Sequence, residues 1–472
     1  MTVDVTPLEA ARRLHGLRGA AFLDSSLPGG PTGEYSYFTA LPIVALWSRA
    51  RRVEVGYSGE VRVLDADPWD VLRDLLAQSP AQSLPGLPPF QGGAIGCFGY
   101  DLGRHVERLP VYAQDDLAPP EAAVGIYDWV LSHDHRSGVS RLVCTETPWS
   151  AGGASDERFE RLRTLISGRS DPPYDDPASA NSSRANGDVN LRTPRLRFRS
   201  NRSRSEYEAA VRRVKEHIAA GDCYQVNLSH RLETPWQGDP WTLYEQLRAA
   251  SPVPYAAYMD LGCTRVLSAS PERFLRLAGR TVDARPIKGT RPRSADPEED
   301  RALAAALFAS PKDRAENLMI VDLLRNDLGR VCVPGSVTVP GLFKIEQYSN
   351  VWQMVSTVAG RLRNELGAVD LLRSAFPGGS VTGAPKIRAM EIIEELEPVR
   401  RGPYCGSIAY IGFGGDMDSS IVIRTLIHSA GNLYLQVGGG VVADSDPADE
   451  YEETLAKARA ALNALDAEFE DR

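Results

Sequence analysis

The chain has 472 residues, of which 43% are hydrophobic and 24% charged, with 53 Lys and Arg against 62 Asp and Glu for a net charge of −9. This is globular composition, and it excludes a collagenous, coiled-coil or largely disordered chain. The negative balance leaves no global positive field to gather phosphate backbones, so nucleic acid is not expected as a partner.

The N-terminus, MTVDVTPLEAARRLHG, carries acids early and has no apolar leader core, and no window approaches the 18 apolar residues of a membrane span. A cytoplasmic protein that is neither exported nor membrane-bound is expected. Cys97, Cys144, Cys223, Cys263, Cys332 and Cys405 are dispersed without CxxC spacing and read as thiols in a reducing compartment.

Within residues 1–167, runs such as RRVEVGY and EVRVLDA alternate like strands, and PWDVLRDLLAQ carries a helical period. His133-Asp134-His135 sits beside a turn and reads as solvated, and with no HExxH among the seven histidines no zinc site is expected. Residues 168–190 hold only Tyr174 and Val189 as sizeable apolar groups, too few to offset ordering entropy, and read as a polar linker or surface excursion. Residues 191–472 then mix helices and strands without a βαβ rhythm, which predicts an α+β fold with large antiparallel sheets.

Ser205 and Glu208 match a capping box for a helix with the stripe Tyr207, Val211, Val214 and Ile218, stopped by Gly221. Further on, two alternating runs flank Ala278-Gly279-Arg280, a tight hairpin turn whose cross-strand partners have numbers adding to 558 or 559. That register brings Glu272 and Lys288 within a residue or two of facing each other. The pair reads either as an exposed cross-strand ion pair or as an acid/base carboxylate beside a lysine nucleophile.

Ser310-Pro311 opens a helix to about Leu328, with Leu318, Val321, Leu324 and Leu328 as its inward stripe and Asp313 and Glu316 one turn apart. PGGSVTGAPK, residues 377–386, is a Gly-rich loop entering a helix, suited to an anion but lacking the Lys-Ser/Thr of a phosphate-binding loop. Gly438, Gly440 and Ala443 fit G-x-G-x-x-A, yet the next helix starts only at Asp446-Pro447, which argues for close backbone approach to an anion other than a dinucleotide. That last helix has the stripe Tyr451, Leu455, Ala458, Leu462 and Leu465, and places Glu450, Glu453 and Lys457 on one face. Carboxylates from the two helices read either as solvated helix pairs or as ligands of a Mg²⁺ with positions open to an anionic substrate.

The segments GDCYQVNLSHR, SPERF, RPIKGTRPR, AENLMIVDLLRNDLGR, FPGGSVTGAPKIRAMEIIEELEP, RRGPYCGSIAYIG, IRT and GGGVVADSDPADEYEETLAKA, between about Ser205 and Leu462, closely resemble the chorismate-utilising enzymes. Within that family the resemblance points to the component I branch of the aminodeoxychorismate synthases. Its fold would be two large antiparallel β-sheets packed as a sandwich with flanking helices, like anthranilate synthase component I, residues 1–167 contributing strands to the body that 191–472 completes. The resemblance implies Mg²⁺ ligands at Glu316 and Glu453, and substrate contacts at Gly289, Thr290, Ser380, Tyr404, Arg424, Gly438, Gly439 and Gly440. It further implies that Lys288 adds to chorismate with Glu272 as general acid, and that ammonia comes from a glutamine amidotransferase partner subunit. Lys288 favours the aminodeoxychorismate branch, because anthranilate synthases usually have alanine there. Gln353 stands where the family more usually has histidine. Ser25 with Pro254 and Tyr255 resembles the tryptophan pocket of anthranilate synthases. Anthranilate, isochorismate and salicylate synthesis, and a non-catalytic chorismate or tryptophan sensor, remain the alternatives.

Overall fold

The computed structural model describes residues 1–27, 32–150, 156–168, 195–348 and 351–470, so all of the polar stretch beyond residue 168 lies outside the described residues. Two sheets of 13 and 12 strands among these residues face each other, with helices on both outer sides. Every ladder is antiparallel except Arg197–Ser200 with Glu468–Glu470.

Burial on both faces explains strands that read as unbroken apolar runs. In Tyr255–Asp260, Ala257 and Met259 face the opposite sheet while Ala256 and Tyr258 face helices. In Ser407–Gly412 of the other sheet, Ile408 and Tyr410 point inward and Ala409 and Ile411 outward. Helices Pro7–Leu14, Pro240–Ala250 and Pro447–Ala464 cover the first sheet, and Pro68–Ala77, Pro311–Gly329 and Ala368–Ala375 the second. The two halves of the chain interleave: Ala21–Asp24 pairs with Tyr255–Asp260, and Gly93–Phe98 pairs with Ser407–Gly412. No helix among the described residues is long and apolar enough to cross a membrane.

Helix Pro311–Gly329 starts at its Ser310 cap and Pro447–Ala464 at its Asp446 cap, as the sequence predicts. Helix Arg204–Ala219 starts two residues earlier than predicted, because the capping box is Ser203 with Glu206. The overlapping frames Ser203-x-x-Glu206 and Ser205-x-x-Glu208 both satisfy the pattern, and Tyr207, Val211 and Val214 are buried as expected. In Pro311–Gly329 the inward stripe is rotated: Leu318 is 45% exposed, while Asn317 and Ile320 join Val321, Leu324 and Leu328 inside.

The hairpin turns at Gly279-Arg280, with Ala278 opposite Thr281 and Arg276 opposite Asp283. The ladder ends there. Its last paired residues are Arg276 and Asp283, and past Pro286, which has no N–H to donate, Ile287–Pro292 pairs with Val351–Arg361. Glu272 and Lys288 are therefore not ladder partners.

Candidate active site

A cavity of about 680 Å³ opens where Ile287–Pro292, the start of Pro311–Gly329, the turn Gly379–Val381, the end of Asn432–Val441 and Pro447–Ala464 converge. Its size suits a small organic ligand.

Lys288 reaches the cavity through an irregularity: the pairing with Val351–Arg361 shifts register between Ile287 and Thr290, next to Gly289 at φ 81°. A side chain on Gly289 would be strained by that φ and would meet Leu307 Cδ1 at 2.8 Å and the Asp313 carboxyl at 2.9 Å. Lys288 Nζ donates to the Ser380 carbonyl at 3.4 Å. Glu272 lines the same cavity and is buried; burial pushes its carboxyl pKa up, against the opposing pull of Lys288, Ser380 and Arg424. Glu272 and Lys288 are thus neighbours, as the hairpin register suggests, but through a shared cavity and not through the hairpin ladder.

Arg424 enters from the loop before Thr425–Ser429 at φ 51°, a conformation that a non-glycine residue holds only where its surroundings impose it. Burial draws its pKa down, and Glu272 opposes the shift. Thr290, Ser380, Tyr404, Gly438 and Gly440 also line the cavity. Gly439 does not: a Cβ there would lie 2.9 Å from Glu450 Oε2, so it gives room to the last helix instead. In the Gly-rich loop, only Ser380 and Val381 reach the cavity. Gly383 serves the sheet, pairing with Val226 so closely that a Cβ would fall 2.1 Å from the Gln225 carbonyl oxygen.

Three acids converge from the two helices. Burial raises the Glu316 carboxyl, with repulsion from Asp313 and Glu453 adding to it and Lys288 and Lys312 opposing. Burial raises Glu450 likewise, although Ser445 donates to it at 2.6 Å. Desolvation pushes on Glu453 too, although its side chain is 54% exposed, but Lys457 at 2.8 Å, with Lys312 and Lys288, holds that carboxyl below the usual range. Lys457 donates as well to the Gly438 carbonyl at 2.8 Å.

Asn227, Arg291, Lys312 and Gln436 line the cavity without having been singled out from the sequence. One signal was present: Gln225, Asn227 and Ser229 form a polar row at period two, set against Val226 and Leu228. Gln353, buried, also lines the cavity. Ser25, Pro254 and Tyr255 lie elsewhere, around a second cavity of about 110 Å³ that also holds Asp24, Arg273 and Asp418. Ser25 donates there to the carbonyls of Tyr35 at 2.8 Å and Pro254 at 3.2 Å.

The chorismate binding enzyme family matches residues 32–463. An aminodeoxychorismate synthase component 1 from Salmonella typhimurium is 45% identical, covering 92% of this chain and 90% of its own length. An anthranilate synthase component 1 from Streptomyces coelicolor is 41% identical over 98% of this chain and 86% of its own length. Among solved structures, anthranilate synthase component I from Streptococcus pneumoniae superposes with a TM-score of 0.77 at 32% identity, covering 92% of this chain and 93% of that one.

Proposed function

The chain belongs to the chorismate-binding enzyme family, and from that premise we propose that it is an aminodeoxychorismate synthase component, converting chorismate and ammonia to 4-amino-4-deoxychorismate. Relatives carrying the aminodeoxychorismate and the anthranilate names are of comparable identity, so the choice rests on one observation, the Lys288 amine in the cavity that Glu272 also lines.

In this reading Arg424, Lys312 and Lys457 attract the two carboxylates of chorismate. The Lys288 nitrogen adds at C2 through its lone pair, the two ring double bonds shift, and the C4 hydroxyl departs as water with the proton that Glu272 supplies. Ammonia then adds at C4, the double bonds shift back, and C2 releases the lysine amine. The enolpyruvyl ether at C3 stays intact. The ammonia comes from a glutamine amidotransferase partner.

The carboxylate set fits a hard divalent cation: Glu316 and Glu453, with Glu450 beside them, bring only oxygen ligands, and repulsion from Glu453 adds to the raised state of both Glu316 and Glu450. Among the described residues no group of three or more His, Cys, Asp or Glu stands ready to hold a metal by itself, so Glu316 and Glu453 would share Mg²⁺ with water and substrate oxygens. When bound, the ion would neutralise substrate carboxylate charge. Titration calorimetry with chorismate, with and without Mg²⁺, checks this assignment. Mg²⁺ is expected to tighten binding by more than about tenfold, and Glu316→Gln or Glu453→Gln to remove most of that gain. An unchanged Mg²⁺ dependence in both variants would remove the two residues from the metal site.

Glu272 predicts a pH profile. Because burial raises its carboxyl, it stays protonated above the usual carboxylate range, and the rate is expected to fall as pH climbs through that raised pKa. Glu272→Gln should lower the rate by roughly 10²–10⁴-fold and flatten that limb. A rate profile with the limb unaltered would assign the proton to another group.

The reading as a whole is tested by incubating the purified chain with chorismate, Mg²⁺ and ammonium, and resolving the products by mass. A nitrogen-containing product that keeps its enolpyruvyl group is expected. Anthranilate, a nitrogen-free isochorismate or salicylate, or no turnover would each overturn it.

A further inference from the structure

Behind the cavity wall lies an ion pair that takes no part in the reaction just described. Arg401 and Glu397, 1% and 3% exposed, pair through two hydrogen bonds of 2.9 and 2.6 Å. Two further Arg401 N–H groups go to carbonyls, Val381 at 2.9 Å and Asn227 at 2.6 Å. These belong to different elements, the turn Gly379–Val381 and the strand Gln225–Pro235, and both residues line the cavity. The guanidinium also lies 4.7 Å from the Tyr100 ring and 5.8 Å from that of Tyr404, another wall residue. Glu397 in turn accepts from the Ser229 amide at 2.8 Å and hydroxyl at 2.7 Å, and Gln436, a fourth wall residue, donates to that hydroxyl at 2.9 Å.

One planar guanidinium making four hydrogen bonds therefore ties together Asn227, Val381, Tyr404 and, through Glu397 and Ser229, Gln436. We propose that Arg401, oriented by Glu397, is a positioning residue that sets the spacing of these cavity walls and thereby the fit of the bound substrate, an inference that rests on the chorismate reading above. The geometry needs arginine. A lysine could keep the charge beside Glu397 but has no rigid fork with which to reach two carbonyls as well. Asn227 shows what the arrangement prepares: its backbone is fixed on both sides, N–H to Thr382 and C=O to Arg401, while its buried side-chain nitrogen has no partner among the described residues. That nitrogen is a donor held ready for a substrate oxygen.

The test compares wild type with Arg401→Lys and Glu397→Gln, measuring KM for chorismate, KM for ammonium, kcat and thermal unfolding. Mere loss of stability lowers the folded fraction, hence apparent kcat, and leaves KM alone. The expected result is a chorismate KM raised by between roughly tenfold and a hundredfold with the ammonium KM unchanged, and either variant suffices if the other does not fold. A chorismate KM equal to wild type, with kcat following the folded fraction, would reduce the pair to a stabilising element and overturn the inference. A wild-type chain that does not bind chorismate would overturn the functional reading as well, so the two failures are told apart by the wild-type control.

Discussion

Replacing Lys288 with alanine is expected to lower aminodeoxychorismate formation by at least about 10³-fold, because the nucleophile of the first step is gone. The fold should tolerate the change. Lys288 is half-buried and, among the described residues, its amine makes one hydrogen bond, to the Ser380 carbonyl, so its loss should alter stability by only about 1 kcal/mol. Chorismate binding should survive within a few fold, since Arg424, Lys312 and the carboxylate helices keep their places. Product chromatography, chorismate titration and thermal melting together check the outcome. Full activity in the variant would exclude covalent chemistry at Lys288.

The second large effect concerns stability. Arg273, buried between the sheets, makes two hydrogen bonds to Asp418 at 2.9 and 3.0 Å and a longer one to Asp283 at 3.4 Å, and lies over the Tyr255 ring. Arg273→Met would leave Asp418 buried without its cation, and a loss of about 3–5 kcal/mol is expected in chemical denaturation at pH 8. Burial already raises the Asp418 carboxyl, with Arg273 opposing, so removing the arginine must raise it further. Between the unfolded and the folded pKa of such an acid the native state binds the extra proton, and stability falls as pH rises. The penalty should accordingly shrink when the variant is unfolded near pH 5. A penalty independent of pH would mean that Asp418 finds a new partner.

The sequence features that survived contact with the structure are those set by a few neighbouring residues. Gly279-Arg280 turns the hairpin in the expected register, and Ser310 and Asp446, each followed by proline, start their helices where predicted. Glu316 and Glu453 share a cavity, as the resemblance to a family had implied, but spacing alone left them indistinguishable from solvated helix pairs. What stayed hidden depends on distant chain. Nothing near Pro286 says that Ile287–Pro292 will pair with Val351–Arg361, so the route by which Lys288 meets Glu272 was not legible. Leu318 looks like core because its helix is amphipathic in outline, yet the sheet beneath selects Asn317 and Ile320. Arg401 gave no sign in the sequence either, since its partners come from the strand at Asn227, the turn at Val381 and the helix ending near Glu397.

The interleaved strand order has a consequence for how the protein is made. Ala21–Asp24 waits for Tyr255–Asp260, and Gly93–Phe98 for Ser407–Gly412, which lies more than 300 residues later in the chain. Emerging from the ribosome at about 5–20 residues per second, the early strands remain unpaired on one edge for many seconds. During that interval GAIGCF leaves one apolar strand edge open to pairing with other chains. Fragments cut between residues 168 and 195 would inherit the same difficulty from both sides. Each would expose the edges its counterpart normally covers, so such fragments should be recovered together from co-expression and poorly when produced apart.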